Sequence, residues 1–326
     1  MKKTLFAIFA AASLLACSKS ETIQTLAPEA ITFDNAFVDN ATKANDAFTI
    51  TESTLEAFQV YGTTKGDEAD ATLVPIFDYV TVEKNGTWKY ADNYTQYWVK
   101  GNTYNFAAVV NVDKANVELE AGVPAKIKCD VTEQKDILFA ANEYGVYSGP
   151  ATSVPFTFKH LLSKVFFTFK NTMTSNTANN IYSYRVSNIV IKDAVKTATG
   201  TVAGVWTADA NSVYDVEFGN ITKNFGTGDA DLIGAVAGAD ESTSLNARLM
   251  IPQAYTALKI TCTIETLLNG KVIDVENYSK EIPQTFAAGS VYNFILAKGN
   301  PGDKIEFTVS TNAVNGWATG STPNNL

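Results

Sequence analysis

The chain has 326 residues, 46% of them hydrophobic and 18% charged, with a formal net charge of −9. That composition can fill a sizeable core and excludes an intrinsically disordered chain. Its acidic balance argues against nucleic acid as a partner, and only Arg185 and Arg248 among the 25 basic residues are arginines, so no guanidinium cluster awaits phosphates.

Lys2 and Lys3 precede an apolar run from Leu5 to Ala12, and Leu14-Leu15-Ala16-Cys17 follows. A short positive start, an apolar centre and a small residue before the cut make a secretory signal. A cysteine directly after Leu-x-Ala resembles the lipobox of bacterial lipoproteins. Residues 1–16 are therefore expected to be removed and Cys17 to carry the acyl chains. Loss of Lys2 and Lys3 takes the charge to −11 (−9 − 2). No later stretch approaches the ~18 consecutive apolar residues that a membrane span needs. Anchorage to the outer membrane is then expected by lipid alone, at ~0.8 kcal/mol per buried methylene.

Residues 18–30 and 39–47 are polar and read as a tether and a loop flanking a short strand around Ile31 and Phe33. Lys43 is the only basic residue between Lys19 and Lys65. Beyond residue 45 the dominant pattern has period 2. Tyr79–Lys84, then Asn85-Gly86, then Thr87–Tyr90 predict a hairpin whose two central residues both take positive φ. Tyr104 and Phe106, Phe167 and Phe169, and Ile189 and Ile191 alternate with single residues between them. A second Asn-Gly, at 269–270, separates Ile260–Leu268 from Lys271–Tyr278. Many short strands with Gly- and Asn-rich turns indicate an all-β chain of β-sandwiches. Gly145–Ser153 is small, polar and interrupted by Pro150, which places a boundary between sandwiches at 46–152 and 153–326. Gly299–Gly302 sets off a last strand, 303–310, with Ile305, Phe307 and Val309 on one face. Cys129 lies in phase with Ile127 and Val131, and Cys262 with Ile260 and Ile264, so both are expected as buried free thiols.

The single histidine, His160, sits in Phe156–Leu162 with no nucleophile signature beside it, which points to a structural role. No HExxH, paired CxxC, Walker loop or GxGxxG occurs. Hence no catalytic residue, metal or cofactor is expected. A carboxylate pair of a glycosidase is set by the fold and cannot be read from spacing. The aromatic high point runs from Trp88 to Phe106. Parity sends Trp88, Tyr90, Tyr104 and Phe106 inward, and leaves Tyr94, Tyr97 and Trp98 as the candidate glycan contacts.

Taken in order, these pieces resemble the fimbrillins, the lipoprotein-derived type V pilins. The resemblance is carried by the lipobox, Ile31-Thr32-Phe33, Ala41-Thr42-Lys43-Ala44 and Phe58-Gln59-Val60-Tyr61-Gly62. It continues through Trp88-Lys89-Tyr90, Tyr97-Trp98, Tyr104-Asn105-Phe106 and His160–Val165 to Ala288–Phe294 and Asn315-Gly316-Trp317. It implies two transthyretin-like β-sandwich domains in tandem and no enzyme. It further implies that a surface protease cuts the early loop after a basic residue, here Lys43, where well-known members carry arginine. Release of the first strand then leaves a groove for a strand of another subunit, with Ile31, Phe33, Ile305, Phe307 and Val309 as the exchange candidates. The partners implied are other fimbrial subunits, with a host or bacterial surface ligand for adhesion. The competing readings are a lipid-anchored, surface glycan-binding protein, a tip or anchor subunit, and, third, a glycoside hydrolase.

Overall fold

Alternation decides which side chains enter the core. In Phe156-Thr157-Phe158 the rings are fully buried and the threonine is exposed. Ile260, Cys262 and Ile264 are buried in the same way, with half-exposed threonines between them. The computed structural model describes residues 28–38, 50–150, 153–219, 224–232 and 247–310, and its regular elements are β-strands apart from three single 3-10 turns among these residues.

The first sheet has seven strands. In spatial order these are β1 (Asn35–Val38), β9 (Pro155–His160), β8 (Leu138–Val146), β5 (Thr103–Val110), β2 (Ala57–Lys65), β3 (Val74–Asn85) and β4 (Thr87–Lys89). Only β1 runs parallel to its neighbour. One face of this sheet encloses Phe33, Phe58, Phe77, Phe106, Phe156 and Phe158. Gly62 belongs to that face because a Cβ there would come within 2.9 Å of the Phe77 and Phe106 rings.

In the second half, β10 (Ser163–Asn171) and β19 (Val291–Lys298) form the centre of a sheet edged by β15 (Ala230–Leu232) and β20 (Ile305–Ser310). A short β16 (Arg248–Met250) also pairs with β10. This sheet faces another made of β14 (Val213–Glu217), β11 (Tyr182–Val195), β17 (Ala254–Leu268) and β18 (Lys271–Thr285). Phe167, Phe169, Tyr184, Ile260 and Phe294 fill the space between them.

The halves are joined by more than a linker. A four-stranded sheet pairs β6 (Val117–Glu120) and β7 (Val123–Asp130) with β12 (Thr197–Thr201) and β13 (Trp206–Ala208). Its central register runs from Thr197 opposite Asp130 to Thr201 opposite Lys126. A third core mixes both halves: Tyr61, Val109, Ile127 and Cys129 pack with Leu162, Phe166, Ala198 and Val291.

Three expectations need correction. The early strand forms at Asn35–Val38, while Ile31 and Phe33 are buried just ahead of it without a ladder of their own. The boundary placed at 153 falls inside the first sheet, because β9 pairs with β8 and β1, and the chain crosses at Leu161-Leu162. At Asn85-Gly86 only the glycine takes positive φ, since Asn85 stays in β3 opposite Thr87. The second Asn-Gly does adopt the expected pair, with φ 46° at Asn269 and 79° at Gly270.

Candidate strand-exchange site

Residues 28–38 form a plug in the first half. Phe33 lies at its centre, 1% exposed, among four rings. It stacks on Phe156 at 5.7 Å and meets Phe77, Tyr90 and Phe106 edge-on at 5.3, 5.9 and 5.9 Å. Ile31 is wholly buried beside it. Aromatic contacts of this kind contribute about 0.5–1.5 kcal/mol each beyond area burial.

The plug's backbone is held by scattered bonds before it reaches a ladder. Trp98 N–H donates to Glu29 O at 2.9 Å, and Ile31 N–H donates to Gln96 O at 2.8 Å. Val154 N–H donates to Thr32 O at 2.8 Å, and the Tyr90 hydroxyl donates to Ile31 O at 2.6 Å. Asp34 N–H donates to the Ser153 hydroxyl. The Tyr147 hydroxyl donates to Glu29 Oε2 at 2.7 Å, and that carboxylate pushes the Tyr147 phenol up to about 12. From Asn35 to Val38 the chain becomes β1, an edge strand that among the described residues pairs only with β9. Such a segment could leave without unpicking the middle of a sheet, and would expose β9 and a row of apolar pockets.

Lys43 and Cys17 lie outside the described residues. Where the chain resumes it is clamped, since Ile50 N–H donates to Asp136 Oδ2 at 2.9 Å. Asp136 is fully buried and also meets His160 Nδ1 at 2.9 Å. His160 is 5% exposed, so this pair is closed to a substrate and serves as an internal fastening.

The other exchange candidate, β20, completes its own subunit here. Ile305, Phe307 and Val309 are 7, 9 and 7% exposed, and Phe307 meets Phe294 at 5.8 Å. All other members of that core are 3% exposed or less. Among the described residues β20 is thus its least deeply buried part, at an edge and paired only with β19. The turn before it is fastened by Lys298 Nζ, which donates to Asp303 O at 2.8 Å, and by the Tyr184 hydroxyl on Gly299 O at 2.6 Å.

The three aromatic residues singled out for glycan contact separate. Tyr94, on a single 3-10 turn, and Tyr97 are each 48% exposed. Trp98 is in the core, stacked on Tyr147 at 4.9 Å and packed against Tyr104 and Tyr144. Its faces are occupied, so it joins no open platform. Conversely, the hydrogen bonds that fasten the plug carry no sequence signal, because each joins segments far apart in the chain: Tyr147 to the Glu29 carboxylate, Tyr90 to Ile31 O and Ser153 to Asp34 N–H.

A model of the fimbrillin-like family matches residues 36–317. The chain belongs to the fimbrillin-like family. A fimbrial protein from Bacteroides vulgatus shares this fimbrillin-like fold at TM-score 0.62 and 15% identity, over 89% of this chain and 99% of that one. A fimbrial assembly protein from Parabacteroides distasonis aligns over 87% of this chain and 97% of that one, at 11% identity and TM-score 0.41. No curated protein sequence matches the chain.

Proposed function

We propose that this fimbrillin-like chain is a structural subunit of a bacterial surface fimbria that supports adhesion. It is exported as a lipoprotein on Cys17, and its plug is released by cleavage after Lys43. A strand of the next subunit then fills the vacated groove. The observation that carries this reading is the placement of Phe33. A phenylalanine of an edge segment sits at the centre of the core, upstream of the lysine to be cut.

The physics of exchange is β-strand addition, in which main-chain bonds give affinity and alternate side chains filling pockets give register. β20 is the proposed donor, because it is an edge strand, has an alternating apolar face and is the least buried part of its own core. Other fimbrial subunits are the partners, and the outer membrane holds the uncut precursor through its lipid.

Replacing Lys43 by alanine tests the reading in the producing cells. Full-length lipoprotein with few or no fibres is expected. Unchanged fibres with an unchanged N-terminus would remove Lys43 from the mechanism.

A further inference from the structure

Two apolar patches lie at strand ends that point away from the shared core. The first surrounds the place where the plug enters. Tyr97 bridges Ala30, Trp98 binds Glu29, and Tyr147 binds the Glu29 carboxylate. Beside these residues Tyr97, Val99 and Val146 are 48, 53 and 64% exposed. They therefore form a collar at the mouth of the groove. β8 starts at Leu138, next to shared-core residues Ile137 and Phe139, and Val146 is its other end.

The second patch lies at the tip of the β17–β18 hairpin. Ile181, Ile273 and Val275 are 56, 52 and 53% exposed. Ile181 and Asn269 hold each other by two bonds, N–H to Oδ1 at 3.0 Å and N–H to O at 2.8 Å. β11 ends at Val195 in the shared core and begins next to Ile181, so this patch also faces outward. Scattered surface apolar residues need no explanation, but clusters of them mark contacts.

We infer that the collar of one subunit seats the hairpin tip of the next copy of this chain, a body-to-body contact added to strand exchange. This rests on the assembly reading above. The geometry selects a second copy as occupant. A groove whose mouth lies within the collar brings the body that supplies its strand against that collar. Two unlike patches on one chain make a heterologous contact, which does not close on itself and so extends into a filament. The turn before β20 lies at this second end, because Lys298 Nζ meets Glu276 Oε2 of β18 at 3.1 Å and the Tyr184 hydroxyl donates to Gly299 O, so a donor strand leaving from that turn brings the hairpin tip toward the collar.

The test uses the full chain in the producing cells. Val99→Cys combined with Ile273→Cys should give a disulfide-linked ladder on a denaturing gel after oxidation, and neither single variant should. The native Cys129 and Cys262 are buried and do not interfere. Val99→Asp with Val146→Asp, or Ile273→Asp with Val275→Asp, should cut polymer yield roughly tenfold or more. Monomer melting should not change, because these side chains are exposed. Absence of the ladder, or full polymer yield in both aspartate pairs, overturns the collar contact while leaving strand exchange standing. Absence of polymers from the unaltered chain overturns the assembly reading and this inference together.

Discussion

Phe33 lies stacked on Phe156, with ring centroids 5.7 Å apart and planes 15° from parallel. Phe33 precedes Lys43 in the chain and Phe156 belongs to β9, well behind it. The two rings therefore part company if the chain is cut after Lys43 and its front segment leaves. On the proposed cleavage their contact would belong to the precursor alone, and the groove of the processed subunit would be the mould of Phe33.

Truncation of Phe33 should accordingly act on one form alone. Phe33→Ala removes a fully buried ring and should cost the precursor about 3–5 kcal/mol. Polymers built from processed subunits should melt at the parental temperature, because they no longer contain the residue. Differential scanning calorimetry of both forms checks this. Equal destabilisation of precursor and polymer would mean that the plug stays in place.

A reversible lock tests the donor. Ala297 and Glu306 are direct partners across β19 and β20, and Glu306 lies on the exposed face, away from the apolar side chains of the donor. Ala297→Cys with Glu306→Cys should form a disulfide that pins β20, since facing strand positions bring Cβ atoms within bonding range. Polymerisation should stop under oxidising conditions and resume on reduction. Undiminished polymerisation of the locked protein would assign the donor strand elsewhere.

Lys164 supplies a pH signature. Its side chain is buried, and desolvation pulls the ammonium down to about 8, against roughly 10.4 in the unfolded chain. Below pH 8 both states hold the proton. Between about pH 8 and 10 the unfolded chain keeps a proton that the folded one has shed, so this group's contribution to stability rises with pH. Denaturant titrations across that window should show the parent gaining on Lys164→Met by up to about 3 kcal/mol. The thiols and tyrosines pushed up by burial act in the opposite direction above about pH 9, but they are common to both proteins and cancel in the difference. A difference independent of pH would contradict the assignment.

The thiols give a simple check on packing. Burial pushes Cys129 and Cys262 up to about 12, and both are buried, at 5 and 2% exposed. Neither should react with a thiol reagent in folded protein at neutral pH, and both should react in denaturant. Rapid labelling of either in the folded state would show that the core opens.

Much of the fold was legible because alternation is local. Ile260, Cys262 and Ile264 announce their buried face, as do Phe156 and Phe158. What stayed hidden depends on distant pairing. The register of β7 on β12 joins residues about seventy positions apart, and nothing in Ile127-Lys128-Cys129 names Ala198 as its neighbour. Ile31 and Phe33 were recognised as apolar strand-like residues, yet their burial rests on Gln96, Trp98 and Val154, so the ladder begins later, at Asn35. The fastening of Asp136 to His160 and Ile50 was equally invisible, because a buried carboxylate reads from sequence like any exposed one. Trp98 kept company with two exposed tyrosines in sequence and parted from them in space.

The central claim is that the plug leaves before subunits join, and the N-terminus of subunits taken from polymers tests it most directly. Mass spectrometry of the N-terminal peptide should find chains beginning at Ala44, with residues 17–43 absent. Subunits that keep an acylated Cys17 and an intact 28–38 segment within the polymer would contradict the account.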